Sequence, residues 1–168
     1  MLRTSRLRLI DADLDAWDAF MRGNHILSRA LGANVPKNWT ENADAFPMFI
    51  EMVRHNPDLV IWGAKFIIYV PENLLIGSCG YKGKPNEAGE VEIGYEIKAS
   101  HREKGLATEA ARALIDFAFN DERVSKVIAH TLPFKNPSTS VLLKLGFVQT
   151  GEAQDPDEGT VWRWELPR

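Results

Sequence analysis

From residue 6 the chain alternates polar and apolar positions, Arg6-Leu7-Arg8-Leu9-Ile10, the period-two pattern of a half-buried strand. The period then lengthens: Leu14, Trp17, Phe20 and Met21 recur at helical spacing behind Asp11 and Asp13, either of which can cap such a helix. Residues 23–37 carry no clear period and read as a loosely structured connection. Thr40 is placed to cap a second helix, with Phe46, Phe49, Ile50 and Val53 on one side, which Pro47 kinks or starts late. Three strands are predicted next, over 60–70, 74–83 and 90–98. The turn-forming runs Pro71-Glu72-Asn73 and Pro85-Asn86-Glu87-Ala88-Gly89 separate them, so they read as antiparallel neighbours. A helix then opens near Leu106, its buried stripe formed by Leu106, Ala110, Ala113, Leu114, Phe117 and Ala118, with Arg112 and Asp116 on the wet side. A strand over 124–132, a short helix over 136–145 ending at Gly146, and strands over 147–151 and 161–166 close the chain. This order predicts an α/β sandwich around a mixed, mostly antiparallel sheet of about seven strands.

Composition narrows the classes. A chain of 168 residues with 45% apolar and 26% charged residues is sized and composed for one globular domain with its own core. The net charge of −3 offers no general attraction to nucleic acid or anionic lipid. The single cysteine, Cys79, excludes an intramolecular disulfide and reads as buried packing in a strand. The start MLRTSRLRLI lacks a signal-peptide core, and the longest apolar run, Phe66 to Val70, is far too short to span a bilayer. A reducing cytoplasm is the expected setting. His25, His55, His101 and His130 are scattered, with neither a zinc pattern nor a nucleophile with an assignable base, so no metal is expected. Gly77, Gly80 and Gly83 with Lys84 have the wrong spacing for a P-loop, and Pro85 stands where Ser or Thr is needed.

The chemistry gathers at one junction. The strand over 90–98 runs into a short charged turn, His101-Arg102-Glu103-Lys104-Gly105, and directly on into the helix opening at Leu106. The first turn of a helix presents unpaired N–H groups and the positive end of its dipole, a ready anion socket. A solvated connection is the bland alternative for such a unit. In the preceding strand Glu92 and Glu96 share one face with Gly94 between them, while Val91, Ile93, Tyr95 and Ile97 take the other.

Arg102-Glu103-Lys104-Gly105-Leu106-Ala107 matches the signature of the GNAT superfamily of acyl-CoA-dependent N-acetyltransferases: Arg or Gln, two residues, Gly, one residue, then Gly or Ala. The flanking EIGYEI and ATEA, TSRLRL at the start, IGSCGY in the third predicted strand and KLGF near the end resemble the branch of ribosomal-protein N-terminal acetyltransferases. Together these marks cover nearly the whole chain.

The resemblance implies helices on both faces of the sheet and a splay between the fourth and fifth predicted strands, 90–98 and 124–132, that takes the pantetheine arm. It implies acetyl-CoA as co-substrate. The pyrophosphate would lie on the main chain of Arg102, Glu103, Lys104, Gly105, Leu106 and Ala107, with Glu103 facing outward and Thr108 adding a hydroxyl. Main-chain groups near Ile97 and Ala99 would hold the pantetheine, and the N–H near Ile97 would support the oxyanion. Glu92 is the candidate base, directly or through water; the alternative is a salt-bridged or solvated glutamate. Many relatives carry a tyrosine acid where this chain has Leu142. Asn136 is an N-cap and possible cofactor contact, and Ser138 a candidate polar contact. Trp39, in a loop, and His25 are candidate walls of the acceptor site, whereas Trp17 belongs to the core. The acceptor implied is a protein N-terminal amine or a small-molecule amine, met by a monomer or homodimer. The rival reading is a non-catalytic acyl-CoA-binding module.

Overall fold

A two-residue strand, β1 (Leu2–Arg3), precedes the expected first strand, β2 (Leu7–Asp11), in the computed structural model, which describes residues 1–168. The sheet therefore has eight strands, where about seven were predicted. Asp13 caps α1 (Leu14–Met21) by accepting from the Ala16 N–H at 2.9 Å. Asp11 instead stays in β2 and pairs with the buried Lys65. The stretch expected to be loose contains α2 (Asn24–Leu31), which buries Leu27 and Leu31 and ends at Gly32 with φ +59°. With only two turns between bracketing glycines, its periodic signal was too short to stand out.

Thr40 does not cap the next helix. A short 3₁₀ turn (Ala43–Ala45) leads into α3 (Phe46–His55), so the helix starts late, with Pro47 in the first turn where its missing N–H costs nothing. Strand β3 (Ala64–Tyr69) is shorter than predicted because Asn56 and Pro57 set a 3₁₀ turn (Pro57–Trp62) before it. Then come β4 (Leu74–Tyr81) and β5 (Glu90–Ile97), antiparallel as predicted. Gly77 in β4 is required by close approach: a Cβ there would stand 2.0 Å from the Glu96 carbonyl oxygen. Next follow α4 (Leu106–Phe119), β6 (Lys126–Thr131), α5 (Pro137–Lys144) and the closing hairpin of β7 (Val148–Asp155) and β8 (Gly159–Pro167).

The strand order is β1-β2-β3-β4-β5-β6-β8-β7, antiparallel throughout except for the parallel pair β5–β6. Two cores flank the sheet. Leu7, Leu9, Ile67, Ile76, Val91 and Ile93 pack on one face against Leu106, Ala110 and Leu114 of α4 and Leu142 of α5. Phe66, Ile68 and Leu75 pack on the other against Trp17, Leu27, Leu31 and Phe46 of the first three helices.

The feature that positions the site is a mismatch in strand pairing. Parallel register between β5 and β6 runs only over Glu90↔Lys126, Val91↔Val127 and Glu92↔Ile128, although both strands continue beyond it. Against β4, the bonds Lys82 N–H to Glu92 O and Lys98 N–H to Ile76 O show that even-numbered residues of β5 face that neighbour. The main-chain groups of Tyr95 and Ile97 thus point at β6 where β6 has already diverged.

Candidate active site

The mouth of this splay is closed at one end by the turn from β5 to α4. A 3₁₀ turn (Ala99–His101) is followed by Arg102 in extended backbone, Glu103 at φ +62° and Gly105 at φ +75° as the N-cap of α4. Gly105 carries no side chain to cap the helix, so the first-turn N–H groups of Leu106, Ala107 and Thr108 have no such partner. The first intrahelical bond runs from Glu109 N–H to Gly105 O at 3.0 Å. Glu103, Lys104 and Gly105 are exposed, and Glu103 faces solvent as expected.

A negative side chain in the first turn of α4 would oppose an anion, and Glu109 is one. It is drawn aside: its carboxylate accepts from the Thr4 hydroxyl, the Ser5 hydroxyl at 3.1 Å, the Arg6 N–H at 2.9 Å and Arg6 Nε at 2.7 Å. Burial alone would raise the Glu109 carboxyl, but these donors hold it below the ordinary carboxylate range. Arg6 Nη1 also donates to Lys104 O at 3.0 Å, which sets its guanidinium beside the bend. The sequence reading missed Arg6 and Glu109 as site-building residues; the signal lay in TSRLRL and ATEA, far apart along the chain.

Arg102 is used differently from the expectation. Its N–H closes the 3₁₀ turn on Ala99 O, its Nε donates to Ile97 O at 2.8 Å, and Nη2 pairs with Glu41 at 3.0 Å. It braces the end of β5, and its own N–H is already engaged. The Ile97 N–H still points into the splay, as does that of Tyr95.

Across the opening, Asn136 is engaged in a capping box with Thr139, as N-cap of α5. Ser138 Oγ lies 3.0 Å from the Tyr95 hydroxyl, so a β5 side chain bridges to α5 one turn before the buried Leu142. Burial pushes the Tyr95 phenol up to about 12, against the Ser138 hydrogen bond that lowers it, so it keeps its proton at neutral pH. Leu132 and Phe134, exposed between β6 and α5, add an apolar lip that the sequence reading did not single out.

On the opposite face, Glu92 Oε1 lies 2.6 Å from Lys82 Nζ and 3.0 Å from His130 Nδ1. Glu96 is buried, accepting from the Thr40 hydroxyl at 2.8 Å and the Glu41 N–H. Between them Gly94 leaves open space, with no atom within 4 Å of a Cβ built on it.

Trp39 is a correction. It is 2% exposed, stacked on Phe46 at 5.7 Å and set edge-on against Phe20 and Phe66, so it is a core residue and no wall. Ala33 and Trp39 join the core that α1, α2 and α3 form over Phe66, Ile68 and Leu75 on this face, and the indole is buried there. His25 is exposed on α2, lining a surface groove with Ser28, Asn34, Lys37 and Leu74. Leu74 lies six residues along β4 from Gly80, the partner of Gly94, so His25 is not brought beside Glu92.

Residues 6–148 match the family model described as the acetyltransferase (GNAT) domain. The chain belongs to the GNAT acetyltransferases. The uncharacterized N-acetyltransferase YjdG of Bacillus subtilis is 33% identical over 150 residues, covering 88% of this chain and 89% of that one. Among solved structures, ribosomal-protein-S5-alanine acetyltransferase from Vibrio fischeri superposes with TM-score 0.64 at 20% identity, over 99% of this chain and 95% of that one. The microcin C7 self-immunity acetyltransferase MccE, in complex with acetyl-CoA and AMP, superposes at 0.66 and 17% identity, over 98% and 94%. This GNAT protein is accordingly an acetyltransferase enzyme with the family's sheet and helices, and no helix in it is long and apolar enough to cross a membrane.

The residues present fit the family's acyl donor on their own geometry. A diphosphate needs several N–H donors converging without a side chain in the way, which the Gly105 to Thr108 turn provides. An extended amide-bearing arm needs unpaired strand groups, which the main chain of Tyr95 and the N–H of Ile97 provide in the splay, the Ile97 carbonyl being held by Arg102.

Proposed function

We infer that this GNAT protein transfers the acetyl group of acetyl-CoA to a primary amine, by direct attack in a ternary complex and without an acetyl-enzyme. The observation that carries it is the splay of β5 from β6 ending on the uncapped first turn of α4. That arrangement holds a diphosphate at one end and leads a thioester to the other. Gly105, Leu106, Ala107 and Thr108 hold the diphosphate; Tyr95 and Ile97 hydrogen-bond the arm; the Ile97 N–H donates to the developing oxyanion. Acetyl-CoA supplies an acetyl group already activated as a thioester. Ser138, hydrogen-bonded to the protonated Tyr95, lies one turn before Leu142, which stands where many relatives carry a tyrosine.

The acceptor belongs on the Glu92 and Glu96 face, where carboxylates favour a cationic amine. Two candidate classes are a protein N-terminus, in keeping with the ribosomal-protein acetyltransferase among the structural neighbours, and a small-molecule amine. The cytoplasm is the setting proposed, with the protein acting as a monomer or homodimer.

Calorimetry with CoA, followed by a CoA-release assay over a panel of amines and N-terminal peptides, tests this reading. Saturable binding, a raised melting temperature with acetyl-CoA, and release dependent on an amine are the expected results. No heat and no thermal shift with either thioester or thiol would remove the socket from the account.

A further inference from the structure

Five charged or titratable groups converge on the open side of the sheet at the splay: Glu92, Lys82, His130, Arg163 and Asp155. Glu92 Oε1 is already taken by two donors, Lys82 Nζ and His130 Nδ1. A carboxylate only accepts, so the ring proton at this contact sits on Nδ1, and the neutral ring carries its lone pair on Nε2. Nε2 makes no hydrogen bond within the chain. Register places the ring: Glu92 and Ile128 are partners, and two residues further on each strand come Gly94 and His130, on the same face and on opposite lips of the splay. The space over Gly94 is empty of protein, and Glu96 closes its far side.

We propose that His130 is the base that takes the proton from the acceptor amine over Gly94, and that Glu92 is a positioning residue that fixes its tautomer. The proposal rests on the acetyl-transfer reading above and moves the base from the glutamate to the imidazole. The acceptor is a primary alkylammonium group small enough to stand on a glycine. It gives one proton to Nε2, and the imidazolium releases it to solvent. The freed nitrogen lone pair forms the bond to the acetyl carbon, the carbon–sulfur bond breaks, and the second nitrogen proton leaves with the sulfur as a thiol. Imidazole suits the task because its protonation changes near neutrality.

The other charges around the ring have their own partners. Lys82, after β4, is tied to Glu92. Arg163 of β8, opposite His130, is held by Glu90 and Glu165. Asp155 of β7 is bonded chiefly by the Glu158 and Asp157 N–H groups and feels Lys82 and His130 only through their charge.

The test uses the full chain with acetyl-CoA and two probes, 1-propylamine and a tripeptide with N-terminal alanine, reading kcat/KM against pH. H130Q lowers kcat/KM about a hundredfold and removes the acidic limb. E92Q keeps the limb and lowers kcat/KM less than H130Q does, because the base is still present but is no longer held in one tautomer. A second readout needs no acceptor: nitrogen NMR of the His130 ring shows the Nδ1–H tautomer in the wild type and a mixture of tautomers in E92Q. H130Q with the wild-type limb and rate, or an unchanged His130 tautomer in E92Q, overturns the proposal. Calorimetry with CoA separates the two readings. If CoA does not bind, the acetyl-transfer reading fails; if CoA binds and neither probe is acetylated, the His130 proposal alone fails, since a base poised over Gly94 must serve a bare alkylamine.

Discussion

Gly105 and Trp39 mark the two ways a single residue bears on this site. At Gly105, φ of +75° is a conformation that costs an L-residue roughly 1–2 kcal/mol, and the absent side chain leaves the α4 N–H groups open. That requirement is local, so the signature exposes it to a reader of the sequence. Trp39 is the opposite case. An indole beside Pro36 and Asn38 looks like a wall of the acceptor site, yet it fills a gap between Phe46, Phe20 and Phe66 that exists only once the helices lie on the sheet. Trp39→Ala is therefore expected to cost about 3–5 kcal/mol in urea unfolding, with KM for the amine little changed in the folded fraction. A large KM change at unaltered stability would return Trp39 to the acceptor site.

At the level of elements, the strand–turn–helix unit cannot hold its shape by itself. The first turn of α4 is fastened by Thr4, Ser5 and Arg6, which enclose Glu109 and reach the Lys104 carbonyl. Arg6 is partly exposed, but Glu109 is enough withdrawn from water for its charge-assisted bonds to count, about 1–3 kcal/mol by removal of the carboxylate. Glu109→Gln is expected to lower stability by that amount and to weaken CoA binding by loosening the bend. The pH dependence follows from the lowered carboxyl. The wild-type advantage over the glutamine variant is fully present above the ordinary carboxylate range and is lost as pH falls through the depressed value. Urea midpoints of the two proteins measured from neutral to acid pH check it; a constant gap across that range would mean the charge is not what the clasp uses.

For the molecule as a whole, the decisive event is that β5 belongs to two half-sheets at once. Its even-numbered main-chain groups are committed to β4 along its length, while the odd-numbered ones have β6 only as far as the Glu92↔Ile128 pair. Unpaired strand groups in a protein interior are costly unless a ligand or water serves them, which is why the proposed site for the acyl donor is built from backbone. Amide hydrogen exchange reads it directly. The Val91 amide is expected to be strongly protected, those of Tyr95 and Ile97 to exchange faster, and acetyl-CoA to slow the latter two. Equal protection of all three without ligand would mean that the opening is closed in solution.

Much of this was legible along the chain because it is locally encoded. The strand and helix periods, the Asp13 and Asn136 caps, the late start forced by Pro47, and the glycine at the α4 N-terminus all depend on neighbours within a few positions. The short helix α2 and the added strand β1 were hidden because so few residues carry their pattern. What no reading of neighbours supplies is who meets whom across the fold: Thr4 to Arg6 on Glu109, Arg102 turned back onto Ile97, Trp39 in the core, and His130 on Glu92. Those contacts join residues far apart in sequence, and they form only after the strands choose their order and burial decides which side chains are shut away and which are left facing the opening.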